Sequence, residues 1–227
     1  MQAIRRVLSA GKRLALGPRA RPWRDKVGGN WEELGRLQFN YMLAQGLHPR
    51  HSFLDVGCGC LRAGVHFIAY LQDGRYFGID RDQSLLDAGR DFELREAELE
   101  SRQISLVCRE DFDFTVFGVE FDYALAQSVF THLDRGPILH CLTQMQKVLR
   151  PDGKFFATFF EDVGGLHADR RLRHFPGRVV TYPSKDPFHC EFSVLADLGG
   201  RAGLEAEYVG EWGHPRAQNM VLFKRKK

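Results

Sequence analysis

The stretch FLDVGCGCLRAGVHF, residues 53–67, sets Asp55 two residues before Gly57 and four before Gly59. Inside a helix each glycine would cost about 1 kcal/mol. At a strand-to-helix turn, glycine lets backbone approach a ligand with no side chain between them. A dinucleotide fingerprint would need a third glycine, but Arg62 stands in its place. Asp80 follows Gly59 by 21 residues. A carboxylate placed there can accept two hydrogen bonds from a ribose diol, each contributing about 1.5–3 kcal/mol. Asp55 would repel a phosphate and attract an ammonium group. These residues favour a nucleoside over a pyrophosphate.

The elements that must position them follow from the apolar pattern. Short apolar runs predict strands over 53–56, 76–79, 104–108, 121–126 and 155–160, with a closing pair over 204–209 and 220–223. Helical spacing predicts helices over 31–46, 61–71, 138–149 and 192–202, and a long charged helix from an Asp82 N-cap to about Arg102. Pro151-Asp152-Gly153 reads as a turn. Strands alternate with helices, so the expected fold is α/β with a parallel, doubly wound sheet. The last two strands have no helix between them and should pair antiparallel. Ligands of such sheets sit beyond the carboxyl ends of the strands. The polar residues collect there: Asp55 with its glycines, Asp80, Asp111, Gln127 with Ser128, and Glu161.

The segments LDVGCG, YFGID, EDFDF, FDYALAQSVFTHL and LRPDGKFFATFF, in that order and at those intervals, resemble the class I S-adenosylmethionine-dependent methyltransferases, most closely their bacterial small-molecule branch. The resemblance spans about residues 30–225. It implies a Rossmann-like, seven-stranded sheet of order 3-2-1-4-5-7-6 with strand 7 antiparallel, and S-adenosylmethionine as cofactor. It places Asp55, Gly57, Cys58 and Gly59 at the cofactor's amino-acid part and Asp80, with Arg81 beside it, at the ribose. Asp111 and Phe112 fall beside the adenine, and Gln127 and Ser128 by the methyl group. Cys60-Leu61-Arg62 departs from the commonest pattern; Arg62 is expected to contact the cofactor, to orient Asp55 or to cap the turn. Gly35 and Gln38, on the helix expected to cross the cofactor opening, are further contact candidates.

The reaction implied is transfer of a methyl group to an oxygen or nitrogen of a small-molecule acceptor by in-line displacement. Alignment and exclusion of water can supply much of the rate. A hydroxyl acceptor also needs a base. His132, after the fourth strand, and His189, before a helix, are the candidate catalytic bases; shaping the pocket is the competing role for His132. Residues 161–190 form a long connection, expected to act as a lid or acceptor-binding insertion. Glu161, Tyr182 and His214 are the candidate substrate contacts.

Composition bounds the alternatives. Hydrophobic residues make up 44% and charged residues 27% of the 227, an ordinary globular balance. No apolar run approaches the roughly 18 residues of a membrane span. Five cysteines suit a reducing compartment. Cys58 and Cys60 lack a second pair at zinc spacing, so no metal is expected. Residues 1–24 carry seven basic residues and no acid, against +3 for the whole chain, which leaves the remainder at −4. That division predicts a basic extension over 1–24 and a methyltransferase domain over 25–227. Residues 2–16 pattern as a basic amphipathic helix: a terminal helix with a solvated charged face, a peripheral membrane contact through residues 1–16, or a targeting segment. The expected location is cytoplasmic, with membrane association through that helix as the variant. A slightly acidic body disfavours DNA as partner. RNA or protein methylation and a non-catalytic cofactor-binding partner are the alternatives; an NAD-dependent enzyme is disfavoured by Arg62 and Asp55.

Overall fold

The structure, a computed structural model, describes residues 21–226. In chain order its strands are β1 (Phe53–Val56), β2 (Tyr76–Asp80), β3 (Ile104–Cys108), β4 (Phe121–Ala126), β5 (Leu149–Phe159), a short pair β6 (Leu172–Arg173) and β7 (Val180–Thr181), then β8 (Leu204–Gly210) and β9 (Asn219–Arg225). All but β6 and β7 form one sheet of order β3-β2-β1-β4-β5-β9-β8. Its first five strands run parallel, while β9 is antiparallel to both β5 and β8. Counted along the sheet alone, this is the expected 3-2-1-4-5-7-6 arrangement. It puts the ends of β1 and β4 side by side at the centre, with Asp55 in register with Gly78 on one side and Leu125 on the other.

Strands buried on both faces read as continuous apolar runs, and β1 is buried at all four positions. Leu54, Phe121, Phe155 and Phe223 face α6 (Arg135–Val148) and α7 (Phe192–Arg201). Phe53, Tyr76, Phe156 and Leu222 face the other layer, with α2 (Trp31–Ala44) and α3 (Gly64–Tyr70). Full burial of one such side chain contributes about 1.5–3 kcal/mol. A short α1 (Pro22–Lys26) precedes α2 and packs through Trp23 against Cys60, Leu85 and Ala88.

Four local expectations differ from the structure. The helix expected from Leu61 begins at Gly64, because Leu61 has φ +69 and belongs to the turn. Asp82 does cap, accepting from the Ser84 N–H. The helix it starts is broken up, however: α4 (Gln83–Ala88) passes through a π-turn (Gly89–Glu93) into α5 (Leu94–Glu96). Glu98, at φ +56, closes it well before Arg102. The expected turn at Pro151–Gly153 lies inside β5, where pairing with β4 shifts register between Phe121 and Tyr123. The 161–190 connection contains the β6–β7 hairpin, too short to show as a periodic run. Residues 1–16, on which the membrane and targeting expectations rest, lie outside the described residues. Among the described residues no helix is long and apolar enough to cross a membrane.

Candidate active site at the ends of β1, β2 and β4

The turn after β1 is built from residues with left-handed backbone: Gly57 at φ +69, Gly59 at φ +54 and Leu61 at φ +69. Glycine takes this conformation without penalty. Leu61 is held in it by burial, lodged between Gly64 and Gly89, where an added Cβ would stand 2.9 Å from Leu61 atoms. The glycines also admit close packing. A Cβ on Gly57 would stand 2.6 Å from Val129, and one on Gly59 would stand 2.7 Å from Val27. The open backbone that the sequence suggested for a ligand is thus bordered by two valines from distant segments.

Two carboxylates flank this turn. Asp80 holds it in place: Oδ2 accepts from the Gly59 N–H at 2.8 Å and Oδ1 from the Asp82 N–H at 2.9 Å. Each carboxylate oxygen has a second lone pair, so Asp80 keeps acceptor capacity for a diol. Asp55 is 5% exposed, and its Oδ2 accepts from the Tyr76 hydroxyl at 2.8 Å. Burial first, then the charge of Asp80, pushes the Asp55 carboxyl up to about 7 against the opposing Tyr76 hydrogen bond. A cation placed beside it would restore the ionised form. The Cys58 side chain packs against Gly78, its N–H donates to Ile79 O and its carbonyl accepts from the Leu61 N–H.

At the end of β4 a polar cluster replaces apolar core. Ser128 N–H donates to Thr158 Oγ1 at 2.7 Å, and the Thr158 hydroxyl donates to Gln218 Oε1 at 2.7 Å. Gln218 Nε2 in turn donates to Ser128 Oγ at 2.7 Å. The Gln127 amide nitrogen donates to Ser128 Oγ at 2.7 Å and stands 3.1 Å from His214 Nε2. His214 is buried, and that burial, then Arg216 and Arg62, drops its pKa to about 4, so the ring is neutral. Arg62 does not hydrogen-bond Asp55. It spans the site instead, donating to Val27 O at 2.6 Å, Gly29 O at 3.1 Å and Gln127 Oε1 at 2.6 Å.

Asp111 is half exposed, and Arg109 clamps its two oxygens, holding the carboxyl well below the usual range. Phe112 sits at φ +52, packed on the edge of the α6-side core. Arg81 is exposed just past β2. Gln38 is buried, with its amide donating to Leu34 O of its own helix. Gly35 lets α2 approach, since a Cβ there would stand 2.6 Å from the Arg62 carbonyl.

The remaining candidates lie in the insertion or against it. His132 is exposed, with Nδ1 2.6 Å from Asp186 Oδ1. The carboxylate accepts a hydrogen bond from Nδ1–H, leaving the Nε2 lone pair of the neutral ring available. His189 differs. His174 Nε2–H donates to Thr181 Oγ1 at 2.8 Å, the Thr181 hydroxyl donates to His189 Nδ1 at 2.7 Å, and His189 Nε2–H donates to His167 O at 3.1 Å. Both His189 nitrogens are occupied, so it has no free lone pair for an acceptor's proton. It also lines a cavity of about 80 Å³ with Phe130, Phe160 and Asp162, roofed by the insertion. Glu161 turns to the sheet edge, accepting from Tyr208 and Asn219 at 2.5 Å each. Tyr182 carries Lys185 Nζ 4.2 Å over its ring.

Sequence reading missed Tyr76, Thr158, Gln218, Arg216 and Glu93. Thr158 had a signal, as the lone polar residue in FFATFF. The others come to the site only through strand pairing and loop return.

Residues 54–155 match the methyltransferase domain family. Among solved structures, a S-adenosylmethionine-dependent methyltransferase from Clostridium acetobutylicum aligns with TM-score 0.65 at 9% identity, covering 89% of this chain and 95% of that one. The CcbJ methyltransferase from Streptomyces caelestis aligns at 0.64 and 14% identity, covering 85% and 90%. Magnesium protoporphyrin IX methyltransferase from Synechocystis, solved with bound S-adenosylmethionine, aligns at 0.60 and 12% identity, covering 85% and 81%. The chain has the class I methyltransferase fold.

Proposed function

We propose that this protein transfers a methyl group from S-adenosylmethionine to an oxygen or nitrogen of a small-molecule acceptor. The observation that carries the reading is the joining of Asp55, Gly59 and Asp80 at adjacent strand ends, with Asp80 bonded to the Gly59 N–H. The residues fit that cofactor. Asp80 has lone pairs left for a ribose diol, and Asp55 gains a counter-charge from an ammonium group. Asp111 and Phe112 lie one strand further out, where an adenine would end.

When bound, S-adenosylmethionine supplies a methyl group on a positively charged sulfur, open to in-line displacement. The chain's own residues align, exclude water and handle protons. Gln127 and Ser128, locked by Thr158 and Gln218, form a rigid floor at the end of β4. Val27 and Val129 border the glycine turn. His132, its ring oriented by Asp186, is the group with a lone pair free to accept a proton from a hydroxyl acceptor. His189 takes a positioning role in the insertion. Residues 161–190, with Tyr182 and Glu161, and the tip carrying His214 form the acceptor side. The charge pattern of residues 1–16 suits a terminal helix with a solvated charged face first, then peripheral membrane contact, then a targeting segment.

Thermal denaturation of the purified protein with S-adenosylhomocysteine and with NAD tests the reading. A stabilising shift with S-adenosylhomocysteine is expected. A shift with NAD only would end it.

A further inference from the structure

Arg62 is 8% exposed, yet its positive charge meets only neutral oxygens: two backbone carbonyls and the Gln127 amide. Its Nε–H is buried with no hydrogen-bond partner. Arg216 stands near it. Its guanidinium donates to the Gly28 carbonyl, between the Val27 and Gly29 carbonyls that Arg62 holds. A Cβ on Gly28 would lie 2.8 Å from the Arg216 side chain, so the 27–29 turn is wedged between the two cations. Among the described residues neither arginine forms an ion pair. The third nearby titratable group is the neutral imidazole of His214, whose Nδ1 accepts from the Arg216 N–H. Asp55 lies within electrostatic reach of Arg62 but forms neither a hydrogen bond nor an ion pair with it, and its carboxylate accepts from the Tyr76 hydroxyl.

Buried charges are ordinarily paired, because an isolated one loses its hydration with nothing in exchange. Two guanidiniums around one turn with no carboxylate between them make a site short of one negative charge. The planar array of N–H donors on each suits a carboxylate. We propose that Arg62 and Arg216 form a carboxylate-binding site at the junction of the 27–29 turn, the end of β4 and the β8–β9 connection. The proposal deepens the methyltransferase reading and rests on it. The carboxylate belongs to an anionic acceptor.

Trifluoroacetate, followed by 19F NMR line broadening on the full chain, is the probe. Saturable broadening is expected with wild type, weakened about tenfold in Arg62→Gln and in Arg216→Gln, as for loss of a charged hydrogen bond. Arg216→Lys should retain part of it. The partly buried Arg216 provides the test if Arg62→Gln does not fold. Displacement by S-adenosylhomocysteine but not by 5′-methylthioadenosine, which has no carboxylate, would give the site to the cofactor and overturn the acceptor assignment. Binding that persists in saturating S-adenosylhomocysteine assigns it to the acceptor. Absence of saturable binding in wild type, or equal binding in wild type and Arg216→Gln, overturns the proposal. A retained thermal shift with S-adenosylhomocysteine would then leave the methyltransferase reading standing, whereas loss of that shift would remove the reading itself.

Discussion

The backbone N–H of Gly59 donates to Oδ2 of Asp80 at 2.8 Å, fastening the tip of the glycine turn to the end of the neighbouring strand. One carboxylate therefore serves two purposes, shaping the turn and presenting lone pairs beyond it. Asp80→Ala removes both. Affinity for S-adenosylhomocysteine, measured by calorimetry, should fall tenfold or more, as expected from about 1.5–3 kcal/mol for hydrogen bonds to a charged group. Unchanged affinity would remove Asp80 from the site.

The raised carboxyl of Asp55 makes stability depend on pH. Its pKa is 3.8 in the unfolded reference and about 7 when folded, so between those values the folded state binds the extra proton. Stability from this group is complete below about pH 4 and declines as pH rises to about 7, by up to roughly 1.4 kcal/mol per pH unit. Tyr76, Asp80 and Arg62 are the groups that face it. The difference in urea stability between wild type and Asp55→Asn should narrow or reverse across that window. Binding of S-adenosylhomocysteine should strengthen over the same range, because its ammonium favours the ionised carboxylate.

Glu93, at the end of the π-turn, is 3% exposed and accepts from Trp23 Nε1 at 2.6 Å and from Arg24 Nε at 2.9 Å. It ties α1 to the body next to the glycine turn. Glu93→Ala should cost about 1–3 kcal/mol in chemical denaturation. It should also speed tryptic cleavage at Arg24 and Lys26 several-fold. Equal cleavage rates would show that other contacts hold the segment.

Gly64 faces the Tyr76 hydroxyl, which would lie 2.7 Å from an added Cβ. Gly64→Ala should displace the hydroxyl from Asp55 and destabilise the fold by about 1–3 kcal/mol, in the range of overpacked cores. The same substitution should weaken S-adenosylhomocysteine binding. Wild-type stability together with wild-type binding would contradict the packing described for this turn.

His132 and Asp186 are both exposed and come from segments 54 residues apart. For a hydroxyl acceptor, His132→Gln should lower kcat by about 100-fold or more while leaving S-adenosylhomocysteine affinity intact. Asp186→Asn should lower it less, since it only orients the ring. Equal rates in wild type and His132→Gln would mean that the acceptor needs no base from this residue.

Much of the architecture was legible because it is written in local pattern. Continuous apolar runs such as FLDV and YFGI mark strands buried on both faces, and the helices between them force parallel pairing. Asp55, Gly57, Gly59 and Asp80 could be picked out because each sits where such a run stops. The break-up of the charged helix after Asp82 was not legible, since the π-turn at Gly89–Glu93 arises where Gly89 must yield to Leu61 from another segment.

The roles of individual polar residues were settled by the tertiary structure alone. His132 and His189 look equivalent in the sequence, yet one keeps a free nitrogen and the other has both occupied. Arg62 could have turned to Asp55 but reaches Val27, Gly29 and Gln127. Residue type and periodicity fix which elements form and which ends of the sheet carry polar groups. Hydrogen-bond partners, burial and the resulting proton affinities depend on segments far apart in the chain, and only their three-dimensional packing sets those.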